Sequence, residues 1–228
     1  MGKKKENYLL SPKKMTNIKE FLTWIPPIAF PLSHIVQIVR MVSEGKVGGI
    51  SPITFAGYFF GNMGAFLFSE KYKDPRTLMG FVLTGILEIV IVSLWFHYQG
   101  NRMGWIITIT VGIIVGIVVL VLILTQKKKL KKIASAAGFF PAVLFPLATV
   151  FQIIRIARRR TTVGVSCAGW TLQILANLGA YFLIGKYKNF KNIGAFLGTA
   201  TLDVVIVIMY WLMRGKMADC VPGFGSIA

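Results

Sequence analysis

The chain has 228 residues, of which 55% are hydrophobic and only 15% are charged. Soluble domains carry about 25% charged residues, and the charged residues here cluster between long apolar runs. This pattern predicts a multi-pass integral membrane protein, in the plasma membrane or an internal membrane, and argues against a soluble domain.

The formal net charge of +18 does not point to a nucleic acid. Lysine and arginine lie between the apolar runs, where they would face the cytoplasm or anionic lipid headgroups. No basic stripe interleaved with aromatic residues occurs outside these loops. We therefore expect the lipid bilayer, and not a nucleic acid, as a partner.

Seven apolar segments follow a polar, lysine-rich N-terminal segment that we interpret as retained. Each is close to the ~20 residues that cross a hydrocarbon core of about 30 Å. Backbone groups in lipid must be satisfied internally, so these segments are predicted to be helices of an all-α membrane protein with seven transmembrane helices. They cover residues 21–39, 50–68, 78–96, 105–124, 133–156, 165–184 and 193–213.

The chain contains an internal repeat. Residues 26–40 read PPIAFPLSHIVQIVR, and residues 141–155 read PAVLFPLATVFQIIR. We interpret this as duplication of a unit of roughly 75 residues. The same register continues without a gap and aligns Gly49 with Gly164, Ser51 with Ser166, Asn62 with Asn177, Lys71 with Lys186, and Glu88 with Asp203.

The repeat covers the first three and the last three predicted helices, and the fourth helix has no partner. Three is an odd number of crossings, so one extra crossing gives the two copies the same orientation in the membrane. The predicted organisation is therefore two parallel three-helix repeats joined by a linker helix (3+1+3). It comprises a basic N-terminal segment (1–20), a first repeat (21–97), a linker helix (103–126), a second repeat (133–213) and a C-terminal tail (214–228).

Two acidic residues lie about halfway along predicted helices. Glu88 and Asp203 each follow a threonine by four residues, Thr84 and Thr199, so each threonine and acid share a helix face. An ionised carboxylate at this depth should be protonated, paired or facing water. The pattern is consistent with proton coupling, with recognition of a cationic group, or with a protonated acid bonded to threonine or to a glutamine of the repeat.

Asn62 and Asn177 lie slightly past the middle of their helices. Because a buried amide is costly unless it is paired, they would either bind solute hydroxyls or an amino acid near the midplane, or join helices by hydrogen bonds. Small residues beside them would let another helix approach closely. These are Gly61, Gly64, Ala65, Ala176, Gly179 and Ala180.

Aromatic and polar residues near the asparagines complete the predicted substrate-binding set. Phe55 and Trp170 occupy equivalent positions, and Tyr58 is matched by Gln173. The rings would stack on a sugar or pack against lipid and neighbouring helices. His34 is matched by a threonine, so a site shared by the two copies would be only pseudo-symmetric. His34 itself would be a proton relay or a satisfied buried histidine.

Pro31 and Pro146 occupy the same position in the two copies. Each removes one backbone hydrogen bond and clashes with the preceding helical turn. They therefore predict either a hinge that lets each triple-helix bundle rock or a static kink.

The layout and motifs resemble the SWEET and PQ-loop (MtN3-like) transporter superfamily. Gln37 and Gln152 are each followed three residues later by an arginine, a polar loop and a Gly-x-Ser before the next helix. The residues preceding the glutamines are Val36 and Phe151, so the literal Pro-Gln pair is absent. The resemblance implies transport of a small polar solute, a sugar or an amino acid, facilitative or proton-coupled, and is compatible with a homodimer or homotrimer.

Other functions fit the sequence less well. No nucleotide-binding loop, metal-ligand cluster or nucleophile–base pair is visible, so we expect neither an enzyme nor a cofactor or metal. Cys167 and Cys220 lie in different environments, and no disulfide is expected between them. The alternatives are a KDEL-receptor-like protein that binds a cargo peptide or ligand, a PnuC-like vitamin-precursor transporter and a scaffold.

Two arguments about the orientation of the chain in the membrane disagree. The N-terminal segment and the loops on its side hold most of the 26 lysines and arginines, which predicts a cytoplasmic N-terminus. The resemblance instead implies that the N-terminus lies outside.

Overall fold

The computed structural model describes residue 18 and residues 20–125 and 130–214. Seven helices, and no strands, make up this part of the chain. Most of the predicted N-terminal segment (1–20) and C-terminal tail (214–228) lies outside the described residues. The helices are α1 (Ile25–Glu44), α2 (Pro52–Ser69), α3 (Pro75–Thr77, Leu78–Leu83 and Thr84–Tyr98 together), α4 (Arg102–Thr125), α5 (Leu130–Ala137 and Phe139–Arg159 together), α6 (Cys167–Ile184) and α7 (Phe190–Asn192, Ile193–Gly198 and Thr199–Arg214 together).

Six of these helices are long and apolar enough to cross a membrane. The expectation of an all-α, multi-pass membrane protein is therefore confirmed.

The described helix that is not among these six is α2, which has 18 residues, 13 of them buried by its neighbours. A helix enclosed by other helices can carry polar groups such as Asn62, because little of its surface has to face lipid. The opposite holds for α4, whose apolar side chains are nearly all exposed.

Equivalent residues begin and end the equivalent helices. Ser51 and Ser166 are the N-caps of α2 and α6, and their hydroxyl groups accept backbone hydrogen bonds at 3.4 and 3.0 Å. Asp74 and Asn189 cap α3 and α7 in the same way, at 2.9 and 3.0 Å. Such caps satisfy amide groups that have no partner within the helix. The repeat in the sequence therefore specifies the same helix boundaries twice.

The helices of the two copies pack across one another. In the first copy α3 contacts both α1 and α2, and in the second copy α7 contacts both α5 and α6. Extensive contacts also join α1 to α6 and α2 to α5, so each pair combines helices of different copies. Helix α4 packs mainly on α3. The central interface of the molecule is therefore formed between the two copies.

Two equivalent glycines bring helices of different copies into close contact. A Cβ atom at Gly64 would lie 2.9 Å from the carbonyl oxygen of Ala137, and one at Gly179 would lie 2.9 Å from that of Leu22. These distances are shorter than a carbon–oxygen contact allows, so no larger residue fits without a shift. The prediction that small residues here permit close approach is confirmed.

Both copies contain a π-helical segment that the sequence does not predict. The segments Leu78–Leu83 and Ile193–Gly198 occupy the same place in α3 and α7. Each carries a phenylalanine, Phe81 or Phe196, and the two ring centroids lie 6.2 Å apart. Single-turn π-helices are rare and are frequent at functional sites. Here they place two equivalent rings at the interface between the copies.

The two predicted hinge prolines lie inside continuous helices. Pro31 stands within α1 and Pro146 within α5, and neither helix is interrupted at the proline. Whether the prolines act as hinges or as static kinks stays a prediction.

One expectation about the cysteines is wrong. Cys167 is disulfide-bonded, although no disulfide is expected from the sequence. The other cysteine, Cys220, lies outside the described residues.

We predict that Gly64→Ala destabilises the protein and that Gly116→Ala, in the exposed face of α4, does not. The new methyl group at Gly64 would force α2 and α5 apart, at about 1–3 kcal/mol, whereas a Cβ at Gly116 meets nothing within 4 Å. The thermal unfolding midpoint of the purified protein measures both variants. Gly179→Ala should behave like Gly64→Ala. Equal midpoints for Gly64→Ala and Gly116→Ala would show that the close approach is unimportant.

Candidate functional site

A buried glutamine of α1 holds the loop and helix start of the other copy. The side-chain nitrogen of Gln37 donates to the carbonyl oxygen of Gly164 at 2.5 Å, and its side-chain oxygen accepts from the backbone amide of Ser166 at 2.9 Å. The Gln37 side chain is 3% exposed. One amide thus satisfies two backbone groups that would otherwise be buried without partners.

The glutamine of α5 makes the reciprocal bonds. Gln152 donates to the carbonyl oxygen of Gly49 at 2.7 Å and accepts from the backbone amide of Ser51 at 2.9 Å. We call Gln37, Gln152 and the two loops they bind the glutamine end. The motif glutamines predicted from the sequence therefore act as cross-copy ties at this end.

The opposite end is closed by two equivalent lysines. The ammonium group of Lys71 donates to the carbonyl oxygen of Leu183 at 2.5 Å, and that of Lys186 donates to the carbonyl oxygen of Phe68 at 2.6 Å. These carbonyls belong to the last turns of α6 and α2, where a cation is favourable. Lys186 also pairs with Glu70 at 2.8 Å. We call this arrangement the lysine end.

Burying part of the Lys71 side chain at the lysine end has an electrostatic cost. Burial lowers the pKa of the Lys71 ammonium group, an effect that the nearby Asp74 carboxylate opposes. The sequence interpretation assigned no role to either lysine. The signal was present, because Lys-Tyr-Lys occurs at 71–73 and again at 186–188 in the register of the repeat.

A small cavity lies between the copies beside the glutamine end. Its volume is about 10 Å³, which is room for about one water molecule. Four predicted substrate-binding residues, Phe55, Tyr58, Trp170 and Gln173, all line it. The full lining is Ser33, His34, Gln37, Phe55, Tyr58, Gly169, Trp170 and Gln173.

The aromatic side chains of the cavity contact one another across the interface. The ring centroids of Phe55 and Trp170, which are equivalent residues, lie 6.5 Å apart. Tyr58 lies 6.2 Å from each of them. Ser33 donates to the side-chain oxygen of Gln173 at 2.9 Å. Ser33 was not predicted, and its equivalent in the second copy is an alanine, so the repeat gave no signal for it.

Glu88 is buried at the interface with two polar partners. Asn62 donates to one of its carboxylate oxygens at 2.7 Å. The Nε2 atom of His34, on α1, lies 3.2 Å from the same oxygen. Glu88 is 0% exposed. Three helices of the first copy therefore converge on this carboxylate.

Asp203 has the equivalent asparagine but different further partners. Asn177 donates to one carboxylate oxygen at 2.9 Å. The hydroxyl oxygens of Thr149 and Tyr58 lie 3.4 and 3.5 Å from the other carboxylate oxygen and 2.5 Å from each other, so one hydroxyl group donates to its neighbour and the neighbour donates to Asp203. Tyr58 belongs to the first copy, so this network crosses the interface. We call Glu88, Asp203 and their two asparagines the carboxylate layer.

The structure pairs the acids with the asparagines and not with the predicted threonines or glutamines. No hydrogen-bond partner is found for the hydroxyl groups of Thr84 and Thr199 within the described residues. The two glutamines bind backbone loops instead. Asn62 and Asn177 join helices by hydrogen bonds, which is one of the two sequence interpretations. Neither residue lines the cavity.

Comparison of the chain with protein-family models, curated proteins and solved structures gives no match. The class of protein is therefore defined by the geometry described above. The chain is a helical membrane protein with a polar interior between two similar sets of helices.

We predict that Gln37→Leu and Gln152→Leu lower the stability of the protein by similar amounts. Each variant leaves a buried carbonyl and a buried amide without partners, at about 1–3 kcal/mol for each group. Gln99→Leu, at the exposed C-cap of α3, is the matched control and should change little. The thermal midpoint is the measurement. A loss in only one of the two buried variants would contradict the equivalence of the two ties.

Proposed function

We propose that the protein is a membrane transporter of a small polar solute, similar to SWEET and PQ-loop proteins. In this proposal the chain crosses the membrane seven times, as two parallel triple-helix bundles joined by α4. The bundles expose a central site to each side of the membrane in turn.

One observation carries the proposal: the interface between the copies is tied at both ends and polar between them. Gln37 and Gln152 tie the glutamine end, and Lys71 and Lys186 tie the lysine end. The cavity and the carboxylate layer lie between these ends. Opening either set of ties while the other persists would connect the centre to one side only, which is the requirement for alternating access.

The interface between the copies is closed in this structure, and the cavity there is too small for a solute. On the lysine side of the carboxylate layer, Phe81 and Phe196 meet at 6.2 Å. The cavity of about 10 Å³ cannot hold a sugar or an amino acid as it stands. Solute entry would therefore require the helices at one end to separate, and Pro31 and Pro146 are placed where α1 and α5 could bend.

We predict that a cysteine placed in the cavity reacts with a charged, membrane-impermeant thiol reagent from both sides of the membrane. Ser33→Cys introduces the thiol in the cavity lining. It is tested in sealed vesicles of both orientations, with the unmodified chain as background. An alternating-access transporter exposes the position to each side in turn, so both orientations should be labelled.

The control is Ile113→Cys, which lies on the exposed apolar face of α4. A charged reagent does not reach a position within the hydrocarbon core, so this variant should stay unlabelled from either side. Labelling of Ser33→Cys from one side only would favour a receptor. No labelling from either side would favour a scaffold. Both results would reject the transport proposal.

A further inference from the structure

Several buried polar groups at the centre of the interface lack a hydrogen-bond partner within the described residues, and three of them are acceptor oxygens that lie among the unpaired hydroxyl groups of Thr84 and Thr199. The side-chain oxygens of Asn62 and Asn177, and one carboxylate oxygen of Glu88, have no hydrogen-bond partner within the described part of the chain. All three residues are at most 2% exposed. Buried polar atoms are usually satisfied, so a ligand that completes this site should supply hydrogen-bond donors.

The same groups have an excess of negative charge. Glu88 and Asp203 are both fully buried, and the basic side chain of His34 lies 3.2 Å from Glu88. The lysines and arginines that form ion pairs in the described residues pair elsewhere, with Glu44, Asp74 and Glu70. Among the described residues, Glu88 thus has one imidazole as an ion-pair partner and Asp203 has none. A buried charge is costly unless it is paired, so a cationic ligand would lower that cost.

The cavity beside these acids is walled by aromatic rings. Phe55, Tyr58 and Trp170 lie 6.2–6.5 Å from one another. Aromatic faces attract ammonium groups through their quadrupoles. Two residues that line the cavity also contact the carboxylates. His34 contacts Glu88, and Tyr58 contacts Asp203.

We infer that the solute is a small organic cation with an ammonium group, and that Glu88 is its principal counter-ion. A sugar hydroxyl group has one donor hydrogen and two acceptor lone pairs, whereas an ammonium group only donates and carries the missing charge. Glu88 is the better partner because one of its oxygens has no hydrogen-bond partner among the described residues, while both oxygens of Asp203 accept bonds. The inference rests on the proposed function, because it names the chemical class of the transported solute.

The test measures ligand binding to the purified full-length protein in phosphatidylglycerol nanodiscs at constant ionic strength. The probes are choline, L-lysine and glucose, and their binding is measured by the shift of the thermal midpoint and by calorimetric titration. We expect one or both cations to bind and raise the midpoint, and glucose to have no effect. Binding of glucose with no response to either cation would overturn the inference.

Matched variants locate the cation. Glu88→Gln keeps the size of the side chain and an acceptor for Asn62 but removes the charge, so cation affinity should fall about tenfold or more. Asp203→Asn should cause a smaller fall and replaces Glu88→Gln if the latter does not fold. Glu20→Gln, at an exposed position, should bind cations like the unmodified chain. Unchanged affinity in the folded interior variants would overturn the assignment.

The two proposals can fail separately. If Ser33→Cys is labelled from both sides but neither cation binds, the cation inference is overturned and the transport proposal stands. If cations bind in a manner that depends on Glu88 but the labelling is one-sided, the binding site stands and the transport role is overturned.

Discussion

The structure depends on the need to satisfy polar backbone groups inside a membrane. Where a helix ends within the protein, its terminal amides and carbonyls have no partners in the helix, and water does not enter the hydrocarbon core. The chain meets this constraint by exchange between its copies. Gln37 binds the loop before α6, and Gln152 binds the loop before α2. Each copy therefore depends on a glutamine of the other copy for one backbone amide and one carbonyl at this end.

The differences between the copies are concentrated where the chemistry lies. The ties at the two ends use equivalent residues, and so do the close-packed glycines Gly64 and Gly179. Around the carboxylate layer the equivalence is lost, because Glu88 has a histidine neighbour whereas Asp203 has a threonine and a tyrosine. In the proposed transporter, a symmetric frame with an asymmetric centre would suit an asymmetric solute.

The sequence predicts the frame well, because a repeat constrains every position twice. Helix boundaries, the small-residue contact at Gly64 and the lining roles of Phe55 and Trp170 all follow from register. Partner choice was harder to predict, because Thr84 shares a helix face with Glu88, yet Asn62 of the adjacent helix provides the hydrogen bond. That choice depends on how α3 rotates against α2, and the π-helical segment Leu78–Leu83, which changes this rotation, leaves no clear pattern in the sequence.

The two ends are tied by different kinds of polar contact, which would set how readily each end opens in the proposed transporter. Each glutamine makes two bonds to the opposite copy, while each lysine makes one charge-assisted bond to a helix C-terminus. A neutral hydrogen bond contributes about 0.5–1.5 kcal/mol and one to a charged group about 1.5–3 kcal/mol, so the two bonds of one glutamine are similar in strength to the single bond of one lysine. In the proposed transporter, a solute that binds one opening more tightly than the other would shift the population between the two.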